Sequence, residues 1–153
     1  MSQITEGMKA NSTNAIEVYK GKSICQEKSK CFLKDLGLPS GLLPLDEIEE
    51  CGFVKETGFI WLKQKRHKQH KFEKIGKFAH YATEITAYAE PKKLKQVTGI
   101  KAKELFMWIT VTEVNVDDDY DDSRSSSAGK LTFKTPTGLC KVFPASAFEA
   151  AET

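Results

Sequence analysis

The sequence predicts a mainly β, α+β domain in which antiparallel strands follow one N-terminal helix. Three observations carry this. A helix-start signal and helically spaced apolar residues occupy roughly 23–36. From residue 52 onward the apolar residues come in short runs bounded by Gly, Pro, Thr and Lys. The spacing of those runs suits hairpins in an antiparallel barrel or sandwich, not the long crossovers of a parallel sheet. At 153 residues, 40% hydrophobic and 29% charged, the chain has globular composition and the size of one domain. That domain is expected to span 14–150, after a polar stretch, 1–13, too poor in apolar surface to order itself.

A helix starting near Asn14 would be interrupted by Gly21. Ser23 and Gln26 have capping-box spacing, and Ile24, Cys25, Cys31, Phe32 and Leu36 fall near one face of the helix that follows. Gly37 and Pro39 stop it, because glycine suits the left-handed position after a helix and proline cannot continue one. Asp46 to Glu50 read as a short helical turn. Gly52-Phe53-Val54 and Phe59-Ile60-Trp61-Leu62 then form a hairpin across a four-residue polar link. Phe72 to Ala89 is the longest strand candidate, with a bend at Gly76, and Leu94 to Val97 is a short return. Leu105, Met107, Ile109 and Val111 alternate with Phe106 and Trp108, so both faces are bulky and a buried central strand is expected. Lys130–Phe133 and Leu139–Phe143 close the chain as a hairpin around Thr135-Pro136-Thr137-Gly138, which suits a type I turn.

Charge is segregated beneath a net +2. Lys63, Lys65, Arg66, Lys68, Lys71, Lys74 and Lys77 face only Glu73 within their own stretch, whereas Asp117, Asp118, Asp119, Asp121 and Asp122 open a Ser-rich segment, 117–129, expected to be a mobile acidic loop. A flat strand would carry the basic charges on both faces, so the segment is expected to extend past the core as a protruding hairpin end or loop. Its simplest role is a solvated edge that discourages aggregation. Its functional role would be contact with an anionic membrane through Lys63, Lys65, Arg66, Lys68, Lys71 and Lys74. Nucleic acid is disfavoured, since no Lys/Arg-Gly-Phe type aromatic platform accompanies the charge.

The residues point to no reaction. Gly-x-Ser-x-Gly is absent, and Ser40, between Pro39 and Gly41, reads as part of a turn. His67, His70 and His80 do not form a zinc constellation, and the Asp-rich run lacks the ligand order of an EF-hand. No cofactor or metal is expected. The four cysteines have no Cys-x-x-Cys spacing and suit free thiols in a reducing compartment. With no secretory h-region and no apolar run of spanning length, a cytoplasmic location is expected, at most peripheral to membranes.

Four stretches carry a resemblance: Leu38-Pro39-Ser40-Gly41-Leu42-Leu43-Pro44, Glu56 to Leu62, Gly99 to Trp108, and Lys134-Thr135-Pro136 to Phe148. Together they resemble the plant proteins catalogued as domain of unknown function 538, also called the "smaller with variable branches" family, over residues 16–150. The resemblance implies a β pseudo-barrel of about seven antiparallel or mixed strands at 52–148 with an N-terminal helix, likened to half of the bactericidal/permeability-increasing lipid-binding fold. It implies a lipid or other amphiphile as partner, and associates the family with trichome development and stress responses. In such a barrel Phe59, Trp61, Phe106, Trp108, Phe133 and Phe143 would line the apolar interior and hold the ligand, unless they pack it solid. A protein-interaction module with a filled core is the second reading, and an ester hydrolase, for example on chlorophyll, the third.

Overall fold

The computed structural model describes residues 16–117 and 129–149, so the polar start of the chain and most of the acidic segment lie outside the described residues. Ten strands form one antiparallel sheet: β1 (Ile16–Lys20), β2 (Ile48–Val54), β3 (Phe59–Gln64), β4 (Lys68–Phe72), β5 (Lys77–Glu90), β6 (Lys93–Glu104), β7 (Met107–Thr110), β8 (Glu113–Val116), β9 (Lys130–Lys134) and β10 (Cys140–Pro144). Helix α1 (Lys22–Leu36) and a terminal 3-10 turn (Ala145–Phe148) complete it.

Strand order is β1-β2-β3-β5-β6-β8-β9-β10, with β4 added on β5 and β7 on β6. No pairing joins β1 to β10 among the described residues, so the expected barrel is instead an open sheet. Its spine is the long β5–β6 hairpin. β3 and β4 share one flank of β5, at Glu84–Tyr88 and Lys77–Tyr81, while β7 and β8 share the flank of β6. The register slips between Tyr81 and Thr86, and Gln96 and Gly99 take φ of 51° and 85°. Such bulges bend a strand and increase its twist. At Gly99 a Cβ would stand 2.3 Å from the Glu84 carbonyl oxygen, so only glycine fits this bend.

The core lies on one face of the sheet. Ile48, Leu62, Ile85, Leu94, Ile100 and Leu131 pack there beneath α1 and the segment that follows it. Gly37 ends α1 with φ 79°, and the Leu38 N–H donates to the Leu33 carbonyl at 2.8 Å, as the sequence predicted for this stop. Leu38, Leu42 and Leu45 then descend into the core, where the Tyr81 hydroxyl donates to the Leu42 carbonyl at 2.7 Å. Complete burial pushes the Tyr81 phenol above its ordinary pKa.

Several expectations are corrected. Gly21 occupies the position before α1 and no side chain caps it; Ser23 lies inside the helix, and Gln26 Nε2 donates to the Leu45 carbonyl at 3.2 Å instead of reaching back. Residues 16–20 are strand, because β2 offers them a partner of matching register that local helix signals do not reveal. Residues 48–50 likewise belong to β2 and not to a helical turn. Of the two forms expected for the basic segment, a hairpin end or a loop, Lys68–Phe72 takes the hairpin, pairing with β5 across the turn at 73–76.

The run after Glu104 departs furthest. Leu105 and Phe106 connect β6 to β7 as a two-residue turn, with Glu104 opposite Met107, so this is a hairpin tip and not a central strand. Leu105 takes φ 54°, at a position where hairpins of this length favour glycine. A left-handed conformation costs a β-carbon-bearing residue about 1–2 kcal/mol. Leu105→Gly is therefore expected to raise stability by about 0.5–1 kcal/mol in urea unfolding, part of the relief being offset by glycine's extra chain entropy.

Candidate functional site

A groove of about 340 Å³ lies between α1 and the β1–β2–β3 end of the sheet. Strand alternation builds its floor. Cys51 pairs with Leu62 and Phe53 with Ile60, placing these four on the helix side. Ser29 and Phe32 of α1 form the opposite wall, and the Phe32 and Phe53 rings meet edge-on with centroids 4.8 Å apart. The rim is charged in both signs. Lys55 Nζ lies 3.2 Å from Glu17 Oε1, Lys28 Nζ stands 4.9 Å from the centre of the Tyr19 ring, and Asp35 borders the helix side.

Two polar groups, one on each wall, meet in the groove. The Cys51 thiol is pushed up to about 12, first by burial and then by the adjoining Cys25 sulfur, so it stays neutral at physiological pH. Ser29 Oγ is buried beside the Cys51 thiol, and its hydrogen bond to that thiol opposes the upward shift. Cys31 lies on the groove and is exposed, as is Cys140, whereas Cys25 and Cys51 are buried. At pH 8 a disulfide reagent should therefore titrate two thiols in the folded protein and four in guanidinium; rapid reaction of a third would contradict this placement of Cys25 and Cys51.

The six aromatics proposed as a ligand-holding interior are not brought together. Phe59 and Trp61 alternate with the groove's floor residues and cluster with Val54, Ile16 and Tyr88, and of the two Trp61 also borders the groove. Trp61 is 1% exposed, lies across Gly52, and donates from Nε1 to Glu50 Oε2 at 2.9 Å. Phe133 and Phe143 pack with Phe148 around a residual cavity of only about 30 Å³. A further void beside Tyr81 measures about 20 Å³. Phe106 and Trp108, expected to be buried, are 96% and 38% exposed because the turn carries them beyond any covering element.

The basic residues are dispersed and partly neutralised by carboxylates remote in sequence. Arg66 grips Glu47 through two nitrogens, at 3.2 and 3.3 Å, and Lys68 Nζ bonds Asp46 Oδ2 and the Pro44 carbonyl, both at 2.6 Å. Lys63 stands in register between Glu50 and Glu84, Lys74 Nζ donates to the Ser146 carbonyl at 3.3 Å, and Lys65 is exposed. Lys71 reaches Glu73 at 3.8 Å and also lies over the Phe78 ring. These exposed pairs contribute little stability, but they reduce the free positive charge of the segment.

Ser40 is 7% exposed in the turn after α1. His67 Nδ1 and His80 Nε2 lie 3.3 Å apart, while the His70 ring packs on Phe72. Desolvation holds His70 and His80 below the ordinary histidine pKa, reinforced by Lys68 at His70 and by His67 at His80. No cluster of three or more metal-ligating side chains occurs among the described residues. No helix among them is long and apolar enough to cross a membrane.

The family model described as "Protein of unknown function, DUF538" matches residues 29–149. That is most of the chain, from the middle of α1 to the end of the 3-10 turn, and the chain belongs to that family. No curated protein and no solved structure matches it, so the likeness to the bactericidal/permeability-increasing fold finds no structural neighbour.

Proposed function

We propose that this DUF538 member is a non-enzymatic binding protein that takes a single-chain lipid or similar amphiphile in the groove between α1 and β1–β3. The groove itself is the supporting observation: apolar walls beneath a charged rim, at the small end of the roughly 300–1,000 Å³ range of ligand sites. An apolar chain would lie on Cys51, Phe53, Ile60 and Leu62, and its polar head would meet Lys28 or Lys55 at the rim. This reading places the ligand between helix and sheet rather than inside a barrel, in keeping with the open sheet.

Cys31 allows a direct test. In a Cys140→Ser background, alkylation of Cys31 with a bulky maleimide should weaken binding of a fluorescent fatty-acid probe by at least about tenfold. Lys28→Glu should weaken a carboxylate-headed probe more than an uncharged alcohol of the same chain length. Failure of the unmodified protein to bind either probe, or unchanged binding after alkylation, would overturn the proposal.

A further inference from the structure

We propose that the β6–β7 hairpin tip is a membrane anchor that inserts Leu105, Phe106 and Met107 into the interface of an anionic phospholipid bilayer. The first observation is exposure: Leu105 is 86%, Phe106 96%, Met107 67% and Trp108 38% exposed, four consecutive large apolar residues at the apex of one turn. Scattered exposed apolar residues are ordinary, but a contiguous apolar tip marks an interaction surface. The second is strain. Leu105 holds φ 54° where glycine would be relaxed, so a bulky apolar side chain stands at the apex despite the backbone.

The third observation is the ordering of chemistry behind the apex, which selects the partner. Trp108 follows the aliphatic tip, opposite Lys103 in register, and Lys101 lies two residues further back, opposite Thr110. At about 3.3 Å per residue, Lys103 and Lys101 stand roughly 3 and 10 Å behind the Glu104–Met107 pair. Apolar apex, indole, then ammonium groups is the sequence of layers met on passing from acyl chains through the aromatic belt to the phosphates.

Lysines and rings alternate across the outer face of the sheet at this end. Lys71 Nζ is 5.7 Å from the Phe78 ring centre, and Lys103 Nζ lies 5.9 Å from Phe78 and 5.8 Å from Trp108. Lys77 and Lys141 approach Glu104 at 3.3 and 3.6 Å, so the carboxylate nearest the tip is compensated twice. Positive charge at headgroup depth favours an anionic leaflet. A single-stranded nucleic acid would use Phe78, Trp108 and the lysines but would leave Leu105 and Met107 in water. The tip shares no residue with the helix–sheet groove, so its test is independent of that site.

The chain has two tryptophans, and Trp61 is buried, so a change in emission on membrane binding reports Trp108. With vesicles of phosphatidylcholine containing about 30% phosphatidylserine, the Trp108 emission should shift to the blue and the protein should co-float. Partitioning should fall with added salt and be weaker on pure phosphatidylcholine. Phe106→Asp and, separately, Met107→Ser should each lower partitioning by at least about tenfold, with unchanged unfolding transitions because both side chains are exposed. Lys101→Glu with Lys103→Glu should abolish the preference for anionic vesicles. Absence of partitioning at low salt, or Phe106→Asp and Met107→Ser partitioning like the parent, would overturn the proposal. Binding of a single-stranded oligonucleotide without vesicle partitioning would overturn it in favour of nucleic acid.

Discussion

Trp61→Ala is expected to destabilise the protein by about 3–5 kcal/mol, the range for truncating a large buried aromatic to alanine. The ring is 1% exposed, and its neighbours are Phe59, Val54, Ile16 and Tyr88, a cluster too small to close over the space the indole leaves. Its Nε1–H···Oε2 bond to Glu50 is lost as well. The position depends on Gly52, directly opposite in register, where a Cβ would stand 2.1 Å from the ring. Gly52→Ala alone should therefore cost about 1–3 kcal/mol by overpacking. In the Trp61→Ala background the same change should cost far less, because the collision has been removed. Urea unfolding of the four proteins of this cycle would give a coupling energy well above the few tenths of a kcal/mol at which independent sites add. An additive cycle would show that the ring does not occupy the space above Gly52.

The contrast between Trp61 and Trp108 shows which parts of the molecule are legible in the sequence. Both sit in apolar runs with β-type alternation, and both read as core. Trp61 is covered because β2 supplies a glycine opposite it, whereas Trp108 follows a turn that lies past every covering element. A turn between Glu104 and Met107 carries none of the usual punctuation, since Leu and Phe occupy positions where Asn and Gly are expected. The cue present was negative: four bulky residues in succession on a strand that needed only alternate ones buried. Local signals worked where the determinant was local, as at Gly37 after α1, the β2–β3 hairpin, and the Thr135-Pro136-Thr137-Gly138 turn.

They failed where the determinant was a distant partner. β1 is a strand because Glu17 and Tyr19 lie opposite Phe53 and Cys51. The free charge of the basic run was overstated because Asp46, Glu47, Glu50 and Glu84 are remote from it in sequence and beside it in the fold. The groove was missed for the same reason. Its floor residues alternate with Phe59 and Trp61 on β3, so the apolar run alone does not single out one face of that strand. The basis for choosing Ile60 and Leu62 instead is the position of α1 over that face, which no spacing within β3 reveals.

Phe148→Ala is expected to cost a further about 3–5 kcal/mol, by a different route. Phe148 is 1% exposed at the end of the 3-10 turn, with its ring centre 4.7 Å from Phe72, 5.4 Å from Phe133 and 6.3 Å from Phe143. It thus ties β4 to the β9–β10 pair, which is not adjacent to β4 in the sheet. Among the described residues β10 pairs with β9 alone, so it depends on this aromatic cluster and on the Ala145 N–H bond to the Gly129 carbonyl, 3.0 Å. Removing the ring should release the β9–β10 edge before the rest of the sheet. Hydrogen exchange should then rise first at amides of Lys130–Lys134 and Cys140–Phe143, while β2 and β3 keep the protection of the global transition. Phe148→Leu, which retains much of the apolar volume, should cost about 1–2 kcal/mol and leave the edge protected. Uniform loss of protection across both ends of the sheet would mean that the terminal turn belongs to the same cooperative unit as β2 and β3. A loss below about 1 kcal/mol would mean that the Phe72–Phe133–Phe143 cluster closes without it.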